Sequence, residues 1–147
     1  MPNQSRCGTH PGRRRFFAAY PGLKRWHERQ RWAWQHGDTE TRTLTGRRRM
    51  DIQKMTDRLN APVQGTAADG LKLALVLLWE RRSECPGAVP VLVCHDEIVV
   101  ECDADKAEEG KEWFIQAMKD GMDAVVNVKE PRILIAVEAS VTKTWSG

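Results

Sequence analysis

The strongest constraint on the fold is Val91-Leu-Val-Cys-His-Asp-Glu-Ile-Val-Val-Glu101, two apolar runs that meet at a His-Asp-Glu tip. β-Branched residues in short alternating runs suit a pleated, packed surface, so each run reads as a buried strand. The tip between them carries two adjacent carboxylates, Asp96 and Glu97, beside His95. Negative charge gathered on a tight turn is costly unless a cation or water meets it. Divalent-metal chemistry on phosphates needs exposed carboxylates held on a rigid support. The tripeptide therefore points to phosphoryl or nucleotidyl transfer.

The charge distribution is consistent with that chemistry. The formal net charge is only +3, yet residues 1–60 hold fourteen Lys or Arg against five Asp or Glu, and the remainder holds nine against fifteen. A basic first half suits a polyanion and an acidic second half a metal site; a solvated surface accounts for the charge runs equally well. The 147 residues fit one domain with a sizeable core. The longest apolar run, Leu73 to Trp79, is far too short to cross a bilayer, and the Arg-rich start lacks the apolar stretch of a signal peptide. A cytoplasmic chain with no membrane partner is expected. Cys7, Cys85, Cys94 and Cys102 form no CxxC pair and no zinc spacing, and are read as reduced and structural.

Residues 1–15 lack periodicity and are expected to be a disordered basic tail, with the folded domain spanning 16–147. A helix is predicted from the Pro21 region to His36, stopped by Gly37, with Leu23, Trp26 and Gln30 along one line and Arg25, Arg29 and Trp32 along another. Thr41 to Met50 alternates, turns at Gly46 and returns through Arg47, Arg48 and Arg49, a hairpin signal. A second helix is predicted over Val63 to Arg82, with Thr66 and Asp69 as its start signature. A third helix is predicted from Asp103 or Asp105 through Met118. A last strand is predicted over Ile133 to Val141. The expected class is α+β, an antiparallel sheet with packed helices. Trp26, Trp32, Trp34 and Trp113 are read as packing residues, the commoner outcome for aromatics, with stacking of the cluster on single-stranded bases beside arginine as the alternative, and Glu108, Glu109 and Glu112 as a solvated helix face.

Two segments are more specific than these generic signals. Asn60-Ala-Pro-Val-Gln-Gly-Thr-Ala-Ala-Asp-Gly-Leu-Lys72 and Val93-Cys-His-Asp-Glu-Ile-Val-Val-Glu101 closely resemble the C-terminal palm of family A DNA polymerases, the bacterial repair-polymerase type. The first matches that family's N-x-P-x-Q-G-T-A-A-D-x-x-K helix start, and the second its third catalytic motif, with Cys94 where Val is common. Tyr20-Pro-Gly, Thr43-Leu-Thr-Gly-Arg-Arg-Arg49 and Glu138-Ala-Ser-Val-Thr-Lys-Thr-Trp145 resemble the flanking elements in the same order, including the end of the fingers region.

The resemblance implies a palm-like fragment of a template-directed DNA polymerase that uses Mg²⁺, with primer–template DNA and dNTP as partners. It implies Asp96 as metal ligand and catalytic carboxylate, Glu97 as the supporting catalytic carboxylate, and His95 at the primer terminus. Asn60 and Gln64 would touch the minor-groove face of the nascent pair, where amides meet acceptors common to all base pairs. Arg58, Arg47 and Arg48 would contact phosphate. The family's arginine falls two residues earlier than Arg58, where this chain has Thr56.

No D-Y-S-x-I-E string, which carries the family's first metal carboxylate, and no nucleotide-gripping fingers helix is present in the sequence. The expectation is therefore a piece that is inactive alone and completed by a companion polymerase chain carrying those motifs. The alternative expectations are a non-catalytic DNA-binding remnant and an inert truncation. An HD phosphohydrolase site, which lies on a helix, is disfavoured by the strands flanking His95 and Asp96.

Overall fold

The computed structural model describes residues 11–128 and 133–145. Helix α1 (Pro11–Ala19) is followed, after Tyr20, by α2 (Pro21–Gln35). Pro21 opens α2, where a missing N–H costs nothing, and Gly37 ends it in the left-handed region at φ 80°. Residues 11–15, expected to be disordered, are helical. Aromatic contacts supply the order: Arg13 lies over the Phe17 ring at 5.3 Å, and Phe17 meets His27 of α2 edge-on at 5.6 Å. Residues 1–10 of the expected tail lie outside the described residues.

Strands β1 (Thr41–Arg42) and β2 (Arg48–Arg49) form the expected hairpin, pairing Thr41 with Arg49 and Arg42 with Arg48 and turning through Gly46 at φ 88°. Helix α3 (Met55–Glu80) begins about two turns before the expected Val63 and runs through Pro62. Proline in a helix interior forfeits a hydrogen bond. The first turns persist because tertiary contacts hold them, chiefly the burial of Arg58 against Asp38 and Gln30.

Thr66 and Asp69 are consequently mid-helix residues rather than a start signature. The Thr66 hydroxyl donates to the Pro62 carbonyl at 2.6 Å and accepts the Leu44 N–H at 3.0 Å, joining the helix to the hairpin. Gly65 allows that approach, since a Cβ there would sit 2.6 Å from the Thr43 methyl.

Strands β3 (Val89–Cys94) and β4 (Glu97–Glu101) form the second hairpin, antiparallel with Cys94 opposite Glu97 and an irregularity between Pro90 and Leu92. A 3₁₀ turn (Ala104–Lys106) leads into α4 (Ala107–Val126), which packs along α3. Leu78, Cys85, Ala88, Ile98, Trp113 and Ala117 make the core between these elements. The Trp113 indole N–H donates to the Arg81 carbonyl at 3.0 Å and so satisfies an orphan acceptor where α3 ends.

Two sequence expectations are corrected. Within the β3–β4 hairpin only Ile98 is buried, while Val89, Val91, Leu92 and Val93 are exposed, because the helices cover β4 and leave β3 open. Residues 133–141 form no strand, having no ladder partner among the described residues. Their side chains still alternate, with Ile135, Val137 and Ala139 half-buried. The Asn127 side chain anchors the segment, accepting the Ile133 N–H at 2.5 Å and donating to its carbonyl at 2.8 Å. The architecture is α+β: two separate two-stranded ribbons packed on helices rather than one sheet.

Candidate active site and nucleic-acid face

The β3–β4 register leaves His95 and Asp96 as a two-residue loop with Glu97 opening β4. His95 has φ 55°, a left-handed conformation that is costly for a side-chain-bearing residue. Hairpin turns of this length call for a positive φ, which matches the strand twist. The loop thereby projects all three side chains into solvent. Among the described residues, neither the Asp96 nor the Glu97 carboxylate has a hydrogen-bond or ion-pair partner.

No three His, Cys, Asp or Glu side chains gather among the described residues. Mg²⁺ sites on phosphate substrates, however, commonly use one or two carboxylates, with waters and phosphate oxygens completing the shell. Asp96 and Glu97 fit the carboxylate part of such a set.

Asn60 and Gln64 lie one turn apart on α3 and share an exposed face with Val63 and Ala67. Both amides are thus free to meet a ligand. The arginines differ from expectation. Arg58 is 3% exposed, and its guanidinium donates to the Gln30 side chain at 2.9 Å, the Asp38 carbonyl at 2.5 Å and the Asp38 carboxylate at 2.7 Å. It is a structural clamp between α3 and the end of α2, turned away from solvent phosphate.

Arg47 donates to Asp69 at 2.6 Å and to the Gly65 carbonyl at 2.9 Å, and Arg48 pairs with Glu40. Both hold the β1–β2 ribbon in place while staying half-exposed. Arg49 is exposed and has no ion-pair partner among the described residues.

The carboxylates respond to these partners. The Arg58 guanidinium, then the Glu40 N–H, hold Asp38 below its ordinary value. Arg48 does the same to Glu40. Burial pushes Asp69 up, but hydrogen bonds from Thr45, Thr43 and Arg47 outweigh it and leave the group lowered.

A cavity of about 910 Å³ opens between α2, the β1–β2 ribbon, α3 and the end of α4. Trp26, Leu44, Val63, Met122 and Ile133 give it apolar walls, a feature that sequence periodicity does not reveal because its lining comes from distant segments. Sequence reading also missed the placement of Trp32. It is 63% exposed and stacked on His36, with ring centroids 4.0 Å apart.

The hairpin tip thus offers two carboxylates without a protein partner among the described residues, and an exposed face of α3 offers two amides. The chain belongs to DNA polymerase family A, whose profile matches residues 9–147. It is 37% identical over 137 residues to DNA polymerase I of Aquifex aeolicus, covering 91% of this chain and 23% of that protein. It is 36% identical to DNA polymerase I of Deinococcus radiodurans, covering 88% of this chain and 14% of that one. The chain thus spans less than a quarter of these curated relatives. The solved POL domain of Pol1 from M. smegmatis, in complex with DNA primer-template and dNTP, shares the fold with a TM-score of 0.59 at 24% identity, over 72% of this chain and 21% of that one.

Proposed function

We propose that this chain supplies the third-motif hairpin and the exposed Asn60–Gln64 face of α3 to a template-directed DNA polymerase. In this reading Asp96 ligates Mg²⁺, Glu97 supports it, and His95 contacts the primer terminus. When bound, Mg²⁺ would acidify the primer 3′-hydroxyl and offset charge on the leaving pyrophosphate. Asn60 and Gln64 offer amides to the minor-groove face of the new pair. The observation that carries the reading is the pair of exposed, unpartnered carboxylates at the tip of a hairpin in a chain that the family profile matches from residue 9 to 147.

Two carboxylates do not complete a two-metal site. In this reading the remaining ligands and the nucleotide-gripping helix come from another part of the polymerase, whether a further segment of the same protein or a companion polypeptide. The partners are primer–template DNA and dNTP, which sets the work in the cytoplasm; among the described residues no helix is long and apolar enough to cross a membrane. Arg47 and Arg48 add to phosphate binding only through the half of each side chain left exposed, and Arg58 drops out of the contact set.

Primer extension tests the reading. The chain, mixed with a polymerase piece carrying the D-Y-S-x-I-E motif and fingers helix, should extend a primer with Mg²⁺ and dNTPs. Asp96→Ala should abolish that extension. A mixture that extends no primer, or an Asp96→Ala chain as active as the parent, rejects it. A non-catalytic DNA-binding remnant is the second reading, favoured by the basic α1–α2 region. It predicts salt-dependent DNA binding with no extension in any mixture.

A further inference from the structure

Helix α2 carries an outward stripe with no role in the hairpin site. Arg25, Arg29, Trp32 and His36 recur at helical spacing on one side, all exposed, while Trp26, Gln30, Ala33 and Trp34 pack inward. Neither Arg25 nor Arg29 has an ion-pair partner among the described residues. Between residues 11 and 36 there are seven Lys or Arg and a single acidic residue, Glu28, which pairs with Lys24 off the stripe.

The aromatic end of the stripe is held in place. His36 Nδ1 lies 2.7 Å from the Trp32 carbonyl, which can only accept, so that nitrogen carries the proton and fixes the ring. The imidazole then stacks on the Trp32 indole at an interplanar angle of 27°. A large apolar ring is thus held rigid and mostly bare beside two unpaired guanidiniums. Water is a poor neighbour for such a ring, and a core contact is unavailable on this outward face. Nucleic-acid bases suit it, because every base offers a π face and its phosphates offer charge to arginine.

We propose that the outer face of α2 binds single-stranded nucleic acid, with an unpaired base stacked on Trp32 and flanking phosphates on Arg25 and Arg29. A duplex keeps its bases stacked on each other and cannot present one to the ring, so the surface should distinguish single from double strands. The site shares no residue with the hairpin tip and needs neither metal nor nucleotide, so it can fail while the polymerase reading holds, and the reverse.

Fluorescence anisotropy of the full chain with labelled oligo-dT, in EDTA and over a series of salt concentrations, tests this. Trp32→Ala should weaken single-strand binding roughly ten-fold, and Trp32→Phe should restore most of it. Arg25→Gln/Arg29→Gln should reduce the slope of log affinity against log salt by about 1.4, the value for two lost phosphate contacts on a single strand. Blunt duplex of equal length should be indifferent to Trp32→Ala. Wild-type chain that does not bind oligo-dT, variants that bind it unchanged, or an equal loss on duplex each overturns the proposal. Circular dichroism checks that the helices survive; if Trp32→Ala unfolds, the arginine variant decides alone.

Discussion

Gly121 of α4 lies against Ala74 of α3 so closely that a Cβ on the glycine would fall 2.5 Å from the Ala74 nitrogen and 2.7 Å from its Cα. Those are backbone atoms of a helix and cannot rotate aside. Gly121→Ala must push the helices apart along the seam that buries Ala74, Leu78 and Ala117, and should destabilise the chain by about 1–3 kcal/mol. Urea unfolding measures it; a stability equal to wild type would mean that the helices do not cross as closely as described.

The Arg58 clamp predicts a second loss. Arg58→Met keeps much of the volume but removes the three donated hydrogen bonds, and the half-exposed Asp38 can rehydrate. The expected cost is about 1–3 kcal/mol, measured by thermal or urea unfolding at neutral pH. Conversely, Arg58→Met should leave the geometry of the β3–β4 hairpin tip alone.

Acid should unfold the chain through the same carboxylates. Asp38 is lowered by Arg58, Glu40 by Arg48 and Asp120 by Arg81. A folded-state value below the unfolded one contributes stability that is complete above the unfolded value, 3.8 for an aspartate, and is lost as pH falls through the folded value. Stability should hold down to about pH 5 and drop below about pH 4. Asp38→Asn should flatten that drop; an unchanged acid transition in Asp38→Asn would remove the pair from the account.

His95 predicts a difference between two truncations. His95→Ala and His95→Gly both remove the imidazole, but only glycine adopts φ 55° freely. His95→Gly should be the more stable of the two by about 1 kcal/mol. Equal midpoints in thermal unfolding would argue that the turn relaxes without the ring.

The thiols offer a fifth test. Cys94 is exposed beside the hairpin tip, whereas Cys85 is buried in the core and burial, foremost, pushes its thiol up. Iodoacetamide followed by peptide mass mapping should modify Cys94 in the folded chain and Cys85 only after unfolding. Early modification of Cys85 would show that the α3–α4 core is open.

Much of the site could be read from local pattern. The His95-Asp96-Glu97 tip follows from two alternating runs around two turn residues, whereas the common face of Asn60 and Gln64 does not, because local pattern starts the helix at Val63 and the structure starts it at Met55. Arg58 was not legible in that way. Its burial depends on Gln30 and Asp38, residues 28 and 20 positions away, and no periodicity encodes such a partner.

The start of α3 was misplaced for a related reason, since Pro62 and Thr66 look like a boundary until the clamp is seen. Residues 133–141 have the alternation of a strand but lack the neighbour that would make them one. Trp32 followed the helical spacing that the sequence shows, yet its exposure emerges only once Trp26 and Trp34 are seen to take the inner face.

Among the described residues, strand β3 hydrogen-bonds to β4 on one side only and shows Val91, Leu92 and Val93 to solvent. A row of open amides and carbonyls flanked by valines is a template for any passing extended chain. In the test tube that makes concentration a hazard. Purification of this polypeptide should favour dilute solution, and a charged residue at Val91 should keep it dispersed where the parent clouds.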